Sequence, residues 1–282
     1  MSIRTPVLLI GSGGMLGRGW RELLTSRGAS PLCPDENQLD LTSPKLGAQI
    51  AESGAKTVIN CAAWTDVDGA EEHEAEATAV NGQAVGALAL ACKDTGALLV
   101  HYSTDYVFNG NAAEPYAIDH PHDPVNAYGR SKAVGERAIE SSGCEHLLIR
   151  TSWLYAPWGK NFVRTIVRLV GSRPELKVVD DQHGRPTSAE HLAASSLGLI
   201  EARARGTFHV TDGGACTWHG FTTEIGRVIG GGCRIDPCTS DEFPRPAARP
   251  GYSVLDLSAT EAILGPMPDW KVNLKSVIAR LE

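Results

Sequence analysis

The stretch VLLIGSGGMLGRGW, residues 7–20, decides the expected fold. An apolar run enters a glycine turn, and a helical pattern leaves it. Gly11, Gly14 and Gly17 fit the spacing Gly-x-x-Gly-x-x-Gly. Gly11 would permit the sharp turn, Gly14 would let backbone N–H groups approach a pyrophosphate, and Gly17 would let the helix pack closely on the sheet. This pattern predicts dinucleotide binding, and a glycine-rich turn without a ligand is the alternative.

The rest of the first half alternates short apolar runs with helix-forming stretches. After the run at 7–10, further runs stand at 57–60, 98–103 and 146–152, and the Ala-rich segment 71–96 is a clear helical pattern. Apolar strands that alternate with helices indicate a parallel sheet covered on both faces. We therefore expect an α/β fold, a Rossmann-type doubly wound parallel sheet with a smaller, discontinuous α/β substrate domain.

The second half is less regular and predicts a chain that leaves the first domain and returns. Residues 1–152 are expected to form the dinucleotide-binding domain, which the chain would rejoin around 177–215. Residues 153–282 would supply most of the substrate-binding domain. The loop 104–127 follows a strand and is rich in Asn, Asp, Pro and His, so we expect it to carry functional side chains.

Composition and charge argue against several classes of protein. The 282 residues are 42% hydrophobic and 21% charged, which is ordinary for a globular protein. A net charge of −7 without a dense Lys/Arg run argues against a nucleic-acid partner. The first apolar run is too short to span a membrane, so no membrane partner is expected. Zinc-protease, phosphate-loop and serine-hydrolase motifs are missing from the sequence.

The cysteines indicate a compartment. There are seven, an odd number, and no two form a Cys-x-x-Cys motif. Scattered cysteines of this kind favour reduced thiols, and a cytoplasmic location is therefore predicted.

Tyr128 and Lys132 stand four residues apart in NAYGRSKAVGE, residues 126–136. Such residues are neighbours on any helix, so the pair alone carries little information. In a ketone reductase Tyr128 would be the proton donor. One ammonium about 4 Å away, at an effective dielectric of about 20, supplies about 4 kcal/mol, enough to bring a tyrosine pKa from about 10 to near 7. Lys132 is therefore predicted to lower the pKa of Tyr128.

Longer segments give a narrower signal. They are GSGGMLG (11–17), NCAAWTDVDGAEE (60–72), VHYSTDYVFNG (100–110), NAYGRSKAVGE (126–136), LIRTSWLY (148–155), DDQHGRPT (180–187) and RPAARPGYSVLDL (245–257). With these segments the chain resembles the extended short-chain dehydrogenase/reductases and, within them, the dTDP-4-dehydrorhamnose reductase family. The resemblance implies reduction of the 4-keto group of dTDP-4-dehydro-β-L-rhamnose to dTDP-L-rhamnose, with hydride from a reduced nicotinamide and a proton from the enzyme.

The resemblance also implies the site residues. Catalysis would fall to Tyr128, Lys132, Thr104 and Asp105, although Thr104 and Asp105 are also typical of a helix cap or turn. The implied cofactor contacts are Gly11, Gly14, Met15, Leu16, Gly17, Asp40, Leu41, Cys61, Ala62, Ala63, Tyr128 and Lys132. The implied substrate contacts are Thr65, Thr104, Asp105, Tyr128, Trp153 and Arg249.

Two of these side chains have ordinary alternatives. Trp153 alone would more often belong to a core or a domain interface. Arg249 could clamp a diphosphate with its bidentate fork or form a surface salt bridge. His183 could be a second acid or a loop donor, and the structural role is favoured. Cys216 is interpreted as a buried small hydrophobe.

Asp35 bears on the choice of cofactor. It lies near the expected end of the second strand, where a carboxylate would bind an adenosine ribose and disfavour a 2′-phosphate. No Arg or Lys stands between Ala29 and Pro44. The cofactor is expected to be NADPH or NADH, and Asp35 favours NADH unless it is only a solvated turn residue.

Some members of the family bridge a homodimer through magnesium bound by glutamates. Glu190 matches one such position, but Gly19 stands at another. No metal is therefore expected, and a homodimer is left open.

Two other functions compete with this hypothesis. The first is another nucleotide-sugar modifier, such as an epimerase, a 4,6-dehydratase or a reductase of a different keto sugar. A dehydratase would need a second acidic residue after Asp105, where the chain has Tyr106. The second is a non-catalytic NAD(P)-binding regulatory subunit resembling that of methionine adenosyltransferase. The joint presence of Thr104, Tyr128 and Lys132 with Asp105 favours an enzyme.

Overall fold

A computed structural model describes residues 3–281. The strands are β1 (Val7–Ile10), β2 (Thr57–Asn60), β3 (Leu98–Thr104), β4 (His146–Thr151), β5 (Leu154–Tyr155), β6 (Glu175–Val179), β7 (His183–Gly184), β8 (Thr187–Ser188), β9 (Gly206–His209), β10 (Cys216–Thr217) and β11 (Arg234–Cys238). The helices are α1 (Met15–Ser26), α2 (Leu46–Ser53), α3 (Gly69–Glu72), α4 (Glu74–Thr78), α5 (Ala84–Thr95), α6 (Ala127–Ser142), α7 (Phe162–Val170), α8 (Ala189–Glu201), α9 (Trp218–Ile229), α10 (Ser258–Leu264) and α11 (Trp270–Ile278).

A five-stranded parallel sheet in the order β1-β2-β3-β4-β9 forms the centre of the fold. Leu32 extends it by a single parallel bridge to Leu8 on the free side of β1. The chain thus builds first to one side of β1 and then crosses to the other side with β2. This reversal creates a crevice at the carboxyl ends of β1 and β2, where ligands bind in open α/β sheets.

Helices cover both faces of the sheet, and successive residues of a strand point to opposite faces, so both sets of side chains are buried. Val7 and Leu9 pack under α1 and α8, whereas Leu8 and Ile10 pack under α2 and α5. Continuous apolar runs in the sequence follow from this double cover. The predicted α/β fold with a doubly wound parallel sheet is confirmed.

A second apolar cluster lies outside the sheet. It is built from α7, α9 and α11 with the strand pairs β5–β8, β6–β11 and β7–β10, and its large side chains are Tyr155, Phe162, Trp218, Phe221 and Trp270. Residues 175–188 belong to this unit, because β6 pairs with β11 and Leu176 packs in the cluster. The chain therefore rejoins the sheet at Ala189, the first residue of α8. The predicted return to the sheet near residue 177 comes too early.

Between residues 3 and 281 no helix is long and apolar enough to cross a membrane. All seven cysteines are free thiols.

Candidate active site

The glycine turn joins β1 to α1 at the crevice. Gly11 has φ +73°, and a Cβ there would stand 2.6 Å from the backbone nitrogen of Ala62. A Cβ at Gly17 would overlap the Gly11 carbonyl oxygen, which accepts a hydrogen bond from Gly14 N–H at 3.0 Å. Only glycine fits at Gly11 and Gly17, and α1 consequently starts directly against the loop that follows β2.

The N-terminus of α1 is open. No side chain caps it, Gly13 and Gly14 are exposed, and the space around Gly13 is empty. Free N–H groups and the helix dipole favour an anion at such a helix start. Met15 is half-buried and its carbonyl accepts from Trp158, whereas Leu16 is buried in the core, so only its backbone can face a ligand.

The opposite wall consists of Cys61, Ala62 and Ala63, which follow β2 and are all half-buried. Ala62 N–H donates to the Asn60 side chain at 3.1 Å, which fixes this wall against Gly11. Burial raises the pKa of the Cys61 thiol, so it stays protonated and behaves as a small apolar group.

The acidic residues expected near the adenosine form local turns. Asp35 is exposed and its carboxylate accepts from Gln38 N–H at 3.0 Å, while Asp40 accepts from Thr42 N–H and hydroxyl at 2.8 Å each. These hydrogen bonds lower the pKa of Asp40. Leu41 is buried in the core. For Asp35 the structure shows the turn alternative, so it gives no support for NADH over NADPH.

β3 and α6 bring the catalytic candidates together. Thr104 ends β3, and Asn126 caps α6 by accepting from Gly129 N–H at 2.7 Å. A Cβ on Gly129 would overlap the Tyr106 carbonyl oxygen, so α6 starts in direct contact with the turn after β3. Tyr128 in the first turn of α6 is thereby placed at the Thr104 hydroxyl.

The pKa of Tyr128 contradicts the predicted tuning by lysine. Burial and the nearby Asp105 carboxyl raise it to about 12, against a smaller opposing effect of the Thr104 hydrogen bond. Lys132 itself is only 2% exposed and donates to the Tyr102 carbonyl at 2.6 Å. Burial lowers the pKa of Lys132 to about 8, and Glu136 opposes this effect.

Asp105 is buried beside Tyr128 and holds an unused acceptor. Its Oδ1 accepts from the Thr104 hydroxyl at 3.0 Å, while its Oδ2 is buried without a partner. Burial raises the pKa of Asp105 to about 7, although the hydrogen bond from Thr104 acts against it. A substrate hydroxyl would satisfy the free Oδ2.

Sequence reasoning missed two buried polar residues of this region. His101 lies 3.4 Å from Lys132 Nζ through Nε2 and 3.1 Å from the Asn60 amide through Nδ1. Asn81, in the π-helical turn Ala79–Gln83, accepts from Trp64 N–H at 2.9 Å and donates to the Trp64 carbonyl at 3.0 Å. The sequence did carry a signal for both residues: each is a polar residue inside an otherwise apolar strand pattern or an Ala-rich helix pattern. Thr65, next to Trp64, is exposed.

A buried ion pair lies behind the site. Glu136, one turn after Lys132 on α6, accepts from Arg150 at 2.7 Å, and their side chains are 0% and 3% exposed. Arg150 also donates to the Ile118 carbonyl at 2.8 Å and contacts His122 at 2.9 Å. The pair therefore anchors the long loop between β3 and α6.

Trp153 packs within the second cluster. Its backbone is left-handed (φ 46°), and its ring stacks on Trp218 with centroids 3.6 Å apart. Gly184 leaves no room for a side chain against the ring edge. One ring face is thus occupied by protein, as the packing alternative predicted. His183 is exposed, and its backbone bonds to Gly251 and Ser253, which fits the loop interpretation.

Arg249 forms a salt bridge with Asp68 at 3.1 Å and lies over the Tyr106 ring, 5.8 Å from its centroid. The salt-bridge alternative is thus observed, but the side chain is only 17% exposed and its Nη1 is buried without a partner. An anion could still complete its hydrogen bonds.

Within residues 3–281 no three His, Cys, Asp or Glu side chains are grouped to hold a metal ion. Glu190 instead accepts from Arg280 at 2.8 and 2.6 Å, and Gly19 packs on the Ala189 carbonyl.

Known proteins share this architecture. The family model described as RmlD substrate binding domain matches residues 5–282. A dTDP-4-dehydrorhamnose reductase of Streptomyces griseus is 42% identical over 276 residues, which cover 95% of this chain and 91% of the relative. A dTDP-4-keto-6-deoxy-D-glucose reductase of Streptomyces niveus is 38% identical over 271 residues, covering 95% and 94%. The crystal structure of Bacillus anthracis dTDP-4-dehydrorhamnose reductase in complex with NADP matches with a TM-score of 0.91 and 34% identity, covering 97% of this chain and 98% of that chain. The chain therefore belongs to the dTDP-4-dehydrorhamnose reductase family of oxidoreductases.

Proposed function

We propose that the protein reduces the 4-keto group of dTDP-4-dehydro-β-L-rhamnose to give dTDP-L-rhamnose, with NADPH or NADH as reductant and Tyr128 as proton donor. The observation that carries the proposal is the meeting of Tyr128, Thr104 and Asp105 at the sheet edge that also holds the glycine turn. Family membership supports the substrate, and the NADP-bound relative supports the cofactor. A cytoplasmic location is part of the proposal, which free cysteines support.

The residues present fit a nicotinamide dinucleotide. The uncapped start of α1 with open space at Gly13 suits a pyrophosphate, and Gly11 faces Ala62 across the crevice. A bound reduced nicotinamide supplies the hydride. In this proposal the sheet unit holds the cofactor, and the second unit presents Trp153 and the loop of Arg249 to the nucleotide sugar.

Tyr128 supplies the proton only when the reaction demands it. With a pKa of about 12 it keeps its proton at neutral pH. As hydride reaches the carbonyl carbon, negative charge grows on the carbonyl oxygen and draws the phenolic proton from Tyr128. The alkoxide that would form is a stronger base than the Tyr128 phenolate, so transfer of the phenolic proton to the carbonyl oxygen is favourable.

Thr104 and Lys132 prepare this transfer. The Thr104 hydroxyl donates to Asp105 Oδ1 at 3.0 Å and lies beside Tyr128, where it would orient the phenol. Lys132 places an ammonium behind the site, and in this proposal its positive charge would stabilise the negative charge that develops on the substrate carbonyl oxygen. The free Oδ2 of Asp105 would accept a sugar hydroxyl and orient the ring.

A second substrate deserves a parallel test because one relative is named dTDP-4-keto-6-deoxy-D-glucose reductase. The same residues would reduce a 4-keto group in that sugar, since the site chemistry acts on the ketone and one hydroxyl.

The test is oxidation of NADH and NADPH by purified protein with each keto sugar. Wild-type protein should turn over dTDP-4-dehydrorhamnose, and Tyr128→Phe should lose turnover while it still binds cofactor. Tyr106→Phe is the matched control, because it removes a neighbouring phenol, 6.1 Å from the Tyr128 ring, and should lose far less. Cofactor binding without turnover of any keto sugar would refute the proposal and favour a regulatory protein.

A further inference from the structure

Asp68 accepts four hydrogen bonds that tie the Pro-rich loop 243–250 to the loop after β2. Arg245 donates to Oδ2 from Nε at 3.1 Å and from Nη2 at 2.6 Å. Arg249 Nη2 at 3.1 Å and Ala247 N–H at 3.2 Å both donate to Oδ1. One carboxylate, 20% exposed, thus fixes two arginines of the second unit on a loop of the sheet unit.

The arrangement points Arg249 at the proposed substrate site. Its guanidinium lies over Tyr106, whose ring meets Tyr128 edge-on with centroids 6.1 Å apart. The Asn126 amide donates to the Ala248 carbonyl at 2.9 Å, so the loop is also tied to the start of α6. Position and rotamer of Arg249 are therefore set by protein contacts before any ligand binds.

The charges leave this corner attractive to an anion. Two guanidinium groups face the one carboxylate of Asp68, so this cluster of three side chains carries a net positive charge. Burial alone would raise the pKa of Asp68, but the Ala247 hydrogen bond and the charges of Arg249 and Arg245 outweigh it and lower the pKa. Asp68 is thus ionised at neutral pH. Arg249 Nη1, buried without a partner, still needs an acceptor.

We propose that Asp68 is a positioning residue for the diphosphate of the nucleotide sugar: by holding Arg249 through Nη2, it presents the remaining N–H groups of that arginine to the phosphate oxygens. The inference rests on the proposed function, since it takes the anion to be that of a nucleotide sugar. Arg245, which is half-exposed, shares the carboxylate and steadies the loop. Asp68 acts through Arg249 and does not touch the reacting atoms.

The test separates binding from chemistry. Thymidine diphosphate is titrated into the cofactor-saturated protein by calorimetry, and kcat and KM are measured with the keto sugar. Asp68→Asn should weaken thymidine diphosphate binding and raise KM by about tenfold, the effect of losing roughly one charge-assisted hydrogen bond, with kcat within about twofold. Asp66→Asn is the matched control, because Asp66 lies on the same loop and its carboxylate accepts from Gly69 N–H, a hydrogen bond that asparagine can retain.

Two further variants test the route through Arg249. Arg249→Lys keeps the charge but loses the fork, and we expect a comparable loss of affinity. In Arg249→Gln protein, adding Asp68→Asn should cost less than it does in the wild type, since the two residues act as one unit. Melting temperatures establish that each variant is folded.

The outcomes distinguish the two proposals. Unchanged or tighter thymidine diphosphate binding by Asp68→Asn, or fully additive losses in the double variant, would overturn the positioning role alone. Wild-type protein that binds cofactor but no nucleoside diphosphate would overturn this inference together with the proposed substrate.

Discussion

Replacing Glu136 by glutamine should destabilise the protein far more than an ordinary loss of a salt bridge. The substitution keeps the size and one acceptor oxygen but removes the charge that faces Arg150. The guanidinium, 3% exposed, would then be buried without a carboxylate, in contact with the Ile118 carbonyl and the rings of His122 and His209.

Glu136→Gln should lower the free energy of unfolding by about 3 kcal/mol or more. Breaking a buried ion pair by removing one partner typically costs about 3–5 kcal/mol. Independently, hydrogen bonds and charge from His122 and Arg150 overcome the burial penalty and hold the pKa of Glu136 at about 2, against 4.5 ordinarily. At about 1.4 kcal/mol per tenfold change in the ionisation constant, that difference corresponds to about 3 kcal/mol. Such a loss is a large part of a typical free energy of unfolding of about 5–15 kcal/mol.

Urea unfolding followed by tryptophan fluorescence measures the effect, with Glu145→Gln as the control. Glu145 also pairs with arginines, Arg4 and Arg205, but its side chain is 41% exposed, so the control should lose only about 0–1 kcal/mol. Because the folded pKa of Glu136 is depressed, its contribution is fully present above pH 4.5 and is lost as the pH falls towards 2. The prediction would be wrong if both variants lost the same free energy of unfolding. It would also be wrong if the difference between Glu136→Gln and the wild type stayed the same as the pH falls towards 2.

Four further predictions concern the site. Turnover should fall as the pH rises through about 8, because Lys132 loses its charge there. Lys132→Met should remove this alkaline limb of the pH–rate profile. If the limb remains in that variant, it belongs to another group. Gly17→Ala should destabilise the fold by about 1–3 kcal/mol through overlap with Gly11. Gly13→Ala meets empty space, so it should keep stability in thermal melts but weaken cofactor binding in a titration, and unchanged affinity would move the pyrophosphate elsewhere. Asn81→Ala leaves the Trp64 backbone unpaired and should cost about 1–3 kcal/mol in the same melts, whereas a neutral result would mean that water replaces the amide.

The parts of the site that sequence predicted are those in which backbone geometry dictates residue type. Gly11 and Gly17 could be assigned roles because a left-handed turn and a close helix approach exclude side chains. The fold class followed from uninterrupted apolar runs, which a doubly covered parallel sheet requires.

The parts that failed depend on burial and on distant partners. Sequence spacing placed Lys132 next to Tyr128. It could not show that the Lys132 ammonium would donate to the Tyr102 carbonyl, or that burial would raise the pKa of the Tyr128 phenol. Asp35 was placed on a strand end, yet Leu32 makes only one bridge and Asp35 turns outward. Asp68 and Arg249 are 181 residues apart, so no local pattern could pair them.

The repeated crossing of the chain between the sheet and the aromatic cluster limits how such a protein can change specificity. After β4 the chain enters the cluster, returns with α8 and β9, enters again with β10, returns with α10, and ends in the cluster with α11. Neither unit is one continuous stretch of polypeptide, so one cannot be exchanged as a cassette through a single pair of junctions. New sugar preferences on this scaffold should therefore arise from substitutions in the loops facing Tyr128, with the chain path preserved.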